Sequence, residues 1–167
     1  MAEIVPVHEI CHINMVAALA RRIWRQHFIP LVGEEQVTYM LEQFQSASAI
    51  KAQIEAEGYD YYLVKEDGEW AGYFAIVPQS GQCAAQLSKI YVDAGKRRKG
   101  LGREILDYVE KRCGEYGISK LWLTVNRYNV SAISFYRKMG FGVEEHLVQD
   151  IGQGFVMDDY KMAKRLE

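Results

Sequence analysis

Cysteine is scarce in this chain of 167 residues: its three copies, Cys11, Cys83 and Cys113, are odd in number and far apart. A disulfide framework needs an even, recurrent set, so none is expected, and the chain reads as one made for a reducing compartment, the cytoplasm. No apolar run approaches the ~20 residues of a membrane-spanning helix. The first six residues lack the basic stretch and apolar core of a signal peptide. Net charge is nearly absent too: 20 Lys and Arg against 22 Asp and Glu leave −2, which supplies no global basic field for nucleic acid. There is no internal repeat, low-complexity tract or linker. What is present, 49% hydrophobic and 25% charged residues, suits a chain that buries its own core, and one domain over residues 1–167 is expected.

Periodicity sets the elements. Ile10, Ile13, Val16, Ala17, Ala20, Ile23 and Trp24 recur at helical spacing. They predict an amphipathic helix over 9–26, after a short strand at 4–7 and before a break at Pro30 and Gly33. Two short helices, 34–44 and 48–56, follow and end at Gly58. Aromatic-rich runs at 59–65 and 69–78 flank Asp67-Gly68, a hairpin signal. A strand at 85–92 changes phase, with Leu87 out of step with Ile90 and Val92. That suggests a β-bulge, which would splay the strand from the next parallel one. A helix over 101–113 ends at Gly114 and Gly117. A strand at 120–125, a helix over 130–139 stopping at Gly140, and strands at 141–147 and 155–162 complete the chain. The expected class is α/β (α+β): a mixed central sheet with helices on both faces.

The densest chemical signal is Lys96-Arg97-Arg98-Lys99-Gly100-Leu101-Gly102-Arg103, between a strand and a helix. A basic, glycine-containing turn opening a helix suits phosphates. Glycines let the backbone come close, the first-turn N–H groups face the anion, and the cations neutralise it. A Walker loop is excluded, because Leu101 and Gly102 stand where its lysine and hydroxyl belong. The dinucleotide fingerprint is excluded by Ile105 at its third glycine. Arg97-Arg98-Lys99-Gly100-Leu101-Gly102 fits Gln/Arg-x-x-Gly-x-Gly/Ala instead. Further on, Asn129-Val130-Ser131-Ala132-Ile133-Ser134-Phe135-Tyr136-Arg137-Lys138-Met139-Gly140-Phe141 fits Asn-x-x-Ala-x-x-Phe-Tyr-x-x-x-Gly-Phe.

In these two motifs, their order and their spacing, the chain resembles the GNAT superfamily of N-acetyltransferases from about Tyr59 to the C-terminus. The resemblance implies a GNAT fold, its central sheet mostly antiparallel with a V-shaped splay, and acetyl-coenzyme A as co-substrate, with no metal. It implies direct attack by a primary amine on the thioester in a ternary complex. It places the coenzyme against Ile90, Tyr91, Val92, Arg97, Arg98, Lys99, Gly100, Leu101, Gly102, Arg103, Asn129, Ala132 and Tyr136. The Tyr136 hydroxyl would lie near the coenzyme sulfur. Protonating a thiolate from a phenol is uphill by roughly 2 kcal/mol, so the hydroxyl would act mainly as a hydrogen-bond donor. Asn129 also reads as a helix cap, and the Val92 N–H as a group that polarises the thioester carbonyl.

The base and the acceptor are less legible. Gln86, Ser88 and Lys89 offer no carboxylate where many family members carry a glutamate, and Asp93 lies beyond the strand. A water relay is expected, with His27, Glu34 and Glu35 as weaker candidates. The run from Phe155 to Met162, with the helical N-terminal half, is loosely similar to bacterial polyamine acetyltransferases. Glu34 and Glu35, with Glu42, Asp158 and Asp159, would suit a cationic acceptor. A protein N-terminus, another small amine, or a non-catalytic coenzyme-binding role remain alternatives. No nucleic-acid or membrane partner is expected, and a homodimer is left open. His8-Glu9-Ile10-Cys11-His12 spells the zinc-protease pattern. It lacks a third ligand and a preceding substrate strand, so no metal role is assigned. His146 reads as packing or surface, and Cys83 has no activating neighbour.

Overall fold

The computed structural model describes residues 2–79, 81–96 and 100–166. Its elements are β1 (Glu3–Pro6), α1 (Ile10–Val32), α2 (Glu34–Phe44), α3 (Ala47–Ala56), β2 (Asp60–Glu66), β3 (Glu69–Gln79), β4 (Ala84–Val92), α4 (Leu101–Glu115), β5 (Lys120–Asn126), α5 (Val130–Lys138), β6 (Gly142–Gly152) and β7 (Phe155–Arg165). Among the described residues the strands form a seven-stranded sheet in the order β1-β2-β3-β4-β5-β7-β6. The pairs β1–β2, β2–β3, β5–β7 and β6–β7 are antiparallel, and β4–β5 is parallel. This is the mixed, mostly antiparallel α/β architecture expected.

Three differences have local causes. α1 runs through Pro30 to Val32 rather than stopping near residue 26. The proline lies two residues before the helix ends, so the one intrahelical bond it removes is followed by no further turn. Gly33, at φ 88°, then closes the helix by donating to the Ile29 carbonyl. α4 likewise passes through Gly114 and ends before Gly117, whose φ is 70°. The final hairpin is longer than its apolar pattern suggests. β6 is exposed along nearly its whole length, so no alternation marks its end. Its limit is set by the turn Gly152-Gln153-Gly154, all three at positive φ.

The fold comprises two compact units, Met1–Val77 with Lys89–Asp107, and Pro78–Ser88 with Tyr108–Glu167. In the first, α1 lies against α2 and α3, and Val16, Ala20, Ile23, Val37, Met40, Ile50, Leu63 and Phe74 are buried. Asp67-Gly68 makes the β2–β3 turn with φ 51° and 80°, as its sequence requires. Gly72 has a packing reason to be glycine: a Cβ there would meet the Tyr91 carbonyl oxygen at 2.3 Å. In the second unit Val109, Cys113, Leu121, Leu123, Val125, Phe141 and Met162 are buried. Lys164 Nζ on β7 reaches both Glu110 carboxylate oxygens on α4 at 3.1 Å. The β4–β5 ladder covers Ala84↔Lys120 to Gln86↔Trp122 and stops before Leu87, the residue at which the apolar phase changes.

Candidate active site

In the first unit, the second half of β4 is held by its side chains. Tyr91 packs on Trp24, Phe28 and Tyr73, with ring centroids 5.3, 5.8 and 5.6 Å away. Beneath it runs a buried polar chain. Trp24 Nε1 donates to Tyr73 Oη at 2.9 Å, and Tyr73 donates to Gln45 Oε1 at 2.6 Å. Gln45 Nε2 donates to Tyr61 Oη at 3.0 Å, Tyr61 donates to Gln53 Oε1, and Gln53 Nε2 ends on the Phe44 carbonyl at 2.9 Å. Burial raises both phenols above their usual range, so both stay neutral donors. This network ties α1, α2, α3, β2 and β3 to the strand that carries Ile90, Tyr91 and Val92.

The turn after β4 supplies the helix N-terminus. Gly100 has φ 80°, a region other residues enter with strain, and no described residue beyond its chain neighbours lies within 4 Å of where its Cβ would be. Its carbonyl accepts the first helical bond, from the Glu104 N–H at 3.1 Å. Leu101 is buried as an anchor, Gly102 lies in the first turn, and Arg103 is exposed. Arg97, Arg98 and Lys99 lie outside the described residues. Lys96 is engaged by Glu69 at 2.9 Å, and Arg22 is paired with Asp93. Both pairs line a cavity of about 520 Å³ with Leu19 and Trp70.

In the second unit, Asn129 caps α5, its Oδ1 accepting from the Ala132 N–H at 3.4 Å. The helix carries Tyr136, which is 7% exposed and packs edge-on against Phe135 and Phe141. Burial raises the Tyr136 phenol above its usual range. It makes no hydrogen bond to a described residue. At the carboxyl end of β5, Asn126 Oδ1 accepts from the Tyr128 N–H at 2.9 Å, shaping the turn into α5.

The remaining candidates are dispersed. Glu34 and Glu35 open α2 and are exposed, and Glu34 Oε1 lies 3.5 Å from Arg25 Nη1. His27 is half-buried, edge-on to Phe28. The zinc-protease spelling does not lie on one helix, because α1 begins at Ile10 and Glu9 is its extended N-cap. The groups that do gather, within 4.8 Å of one another, are Glu9, Cys11 and His12, without His8. Three features escaped the sequence reading. Lys89, half-buried on β4 with Nζ 5.9 Å from the Tyr59 ring, has its pKa lowered to about 8 by desolvation. His146 Nε2 lies 2.6 Å from Asp158 Oδ1. Asp159, named only as one acid among several, is buried, and desolvation followed by the charge of Asp158 raises its pKa from 3.8 to about 6. An aspartate in mid-strand, against β propensity, was its one sequence signal.

The chain belongs to the acetyltransferase (GNAT) family, whose profile matches residues 17–141, and it is an N-acetyltransferase. It is 26% identical over 129 residues to an uncharacterized N-acetyltransferase of Lactobacillus delbrueckii subsp. lactis, covering 74% of this chain and 75% of the relative. It is 31% identical over 87 residues to the ribosomal protein bS18-alanine N-acetyltransferase of Escherichia coli, covering 52% of this chain and 57% of that enzyme. The crystal structure of PaiA N-acetyltransferase from Thermoplasma acidophilum in complex with coenzyme A superposes with a TM-score of 0.82 at 22% identity, over 99% of both chains. Among the described residues no helix is long and apolar enough to cross a membrane.

Proposed function

We propose that this protein transfers the acetyl group of acetyl-coenzyme A to a primary amine by direct attack in a ternary complex, with a polyamine as acceptor, in the cytoplasm. The observation that carries the reading is the start of α4: a left-handed Gly100, space beside it that is open among the described residues, and first-turn amides that follow a basic stretch of sequence. The pyrophosphate is assigned to that turn, with Arg97, Arg98, Lys99 and Arg103 neutralising its charge. Ile90, Tyr91 and Val92 offer backbone groups to the amide-rich pantetheine arm. Asn129 and Ala132 start the helix that carries Tyr136, whose neutral hydroxyl donates to the departing sulfur. No metal takes part. Support for a cationic acceptor comes from the exposed carboxylates Glu34 and Glu35 on α2, with Arg25 3.5 Å from Glu34, and separately from Asp159 on β7. A peptide amino terminus is the second reading, favoured by the similarity to the bS18-alanine enzyme.

The test is thiol release from acetyl-coenzyme A with spermidine, a neutral amine and an alanine-ended peptide. Spermidine should turn over fastest, and salt or charge reversal of Glu34 and Glu35 should raise its KM. Preference for the peptide, insensitive to both, eliminates the polyamine. Gly102→Val should weaken coenzyme binding more than tenfold by calorimetry, and unchanged affinity in the folded variant removes the α4 site.

A further inference from the structure

β7 places two adjacent carboxylates in opposite circumstances. Asp158 is engaged by His146 Nε2 at 2.6 Å and by Arg127 Nη1 at 3.7 Å. Asp159 is 5% exposed, and its fully shielded Oδ1 accepts no hydrogen bond from any described residue. The nearest cation along its side of the strand, Lys161, is committed elsewhere: its Nζ lies 4.6 Å from the Trp122 ring centroid and 3.8 Å from Glu144. A buried carboxylate oxygen without a partner is costly, and native folds rarely keep one without a use.

Register says where it sits. Asp159 lies opposite Asn126 on β5 and opposite Leu147 on β6. Directly opposed residues of antiparallel strands project to the same side, so Asp159 shares its side with Asn126 and, one step along, with Thr124 and Lys161. Asn126 is the last residue of β5, from which the chain turns through Tyr128 to the Asn129-capped helix bearing Tyr136. The carboxyl end of a strand that feeds a helix in an α/β sheet is where ligands settle. Along its side of the sheet the charged groups are Lys161 on β7, Glu145 opposite it on β6, and Glu144, which Lys161 approaches. Asp158, with its partners His146 and Arg127, lies one residue back on the other side of the strand and acts on Asp159 through its charge.

We infer that Asp159 is the base that takes the proton from the acceptor's ammonium. The inference rests on the acetyl-transfer reading above and names the group that a water relay was expected to replace. One N–H bond of the ammonium breaks, and its proton goes to the Asp159 carboxylate. The freed nitrogen lone pair forms the C–N bond at the acetyl carbonyl. The C–S bond then breaks with its electron pair on sulfur, which takes the nitrogen's second proton and leaves as the thiol. Asp159 returns its proton to water. The desolvation that lifts its pKa to about 6 makes it a stronger base than a surface carboxylate, yet leaves it ionised at neutral pH.

Asp159→Asn keeps shape and removes the base. With spermidine or the alanine-ended peptide, whichever the wild type uses faster, turnover at pH 7 should fall at least a hundredfold. Coenzyme affinity should stay within twofold by calorimetry. The deficit should shrink toward pH 10, where the amine arrives already neutral. Carbon-13 NMR titration of the free wild-type protein should put the Asp159 carboxyl midpoint near 6, whatever the acceptor. A folded variant with turnover within threefold of wild type at pH 7, or a midpoint below 4.5, overturns the assignment while leaving acetyl transfer intact. Turnover of the peptide alone removes only the polyamine. Turnover of neither probe removes the acceptor reading and this inference together.

Discussion

Asp159→Asn should make the protein more stable, and the size follows from one number. The carboxyl titrates at about 6 in the fold and at 3.8 ordinarily. The difference, 2.2 units at about 1.4 kcal/mol each, is about 3 kcal/mol of cost to holding the ionised form buried. An acid whose folded pKa is raised binds more protons folded than unfolded between pH 4 and 6. Stability from this group therefore falls as pH rises through that window and stays low above it. Asparagine never ionises. Variant and wild type should match below pH 4, diverge between 4 and 6, and differ by up to about 3 kcal/mol at pH 7–8, with the variant higher. Other titrating groups cancel in the difference. Urea unfolding of both proteins from pH 3.5 to 8 measures it. A difference independent of pH, or a variant less stable at pH 8, refutes the reasoning, because it would mean that the native carboxylate has a partner. A residue kept for stability would lose stability on substitution, whereas one kept for reactivity gains it.

Tyr136→Phe should lower kcat at least tenfold with coenzyme affinity within twofold, and equal turnover in steady-state kinetics would remove the donor role. Gly72→Ala should destabilise by about 1–3 kcal/mol, since its Cβ meets the Tyr91 carbonyl at 2.3 Å and a β strand must move. Urea denaturation at unchanged midpoint would contradict that packing. Gln45→Leu leaves the Tyr73 hydroxyl without its acceptor and Tyr61 without a donor, and should cost about 2–3 kcal/mol by the same assay, against near-zero for an idle side chain.

What was legible was local. The Gly100 turn, the Asp67-Gly68 hairpin and the Asn129 cap are each written in a few contiguous residues, and each takes the conformation those residues demand. The two family motifs lie at strand-to-helix junctions, where short spacing carries geometry. Features that depend on distant strands meeting stayed hidden. Asp158 and Asp159 are identical as letters, and only the pairing of β7 with β5 and β6 buries one and gives the other His146 and Arg127. Gln45, just after α2, and Gln53, on α3, carry no local mark of burial. They prove to be interior because Tyr61 and Tyr73 bring hydroxyls beneath them. The His-Glu-x-x-His spelling, set aside for want of a third ligand and a substrate strand, also straddles a helix start, so the helical spacing that would align its histidines is absent.

Burial acts on Tyr136 and Asp159 in the same direction and suits them to opposite tasks. Both are acids, and desolvation raises both. For the phenol the rise removes ionisation from the working pH range, so the hydroxyl keeps its proton and stays able to donate, which is what a developing thiolate would need in the proposed reaction. For the carboxyl the rise stops near 6, below neutral, so the group stays ionised while gaining affinity for a proton, which is what an ammonium must meet before it can attack. In the proposed reaction, burial thus preserves a donor and strengthens a base within the same unit of the fold, from side chains that need no mutual contact. The pH profile should carry both signatures: an acidic limb near 6 that vanishes in Asp159→Asn, and no alkaline limb from Tyr136 in the range where the protein stays folded.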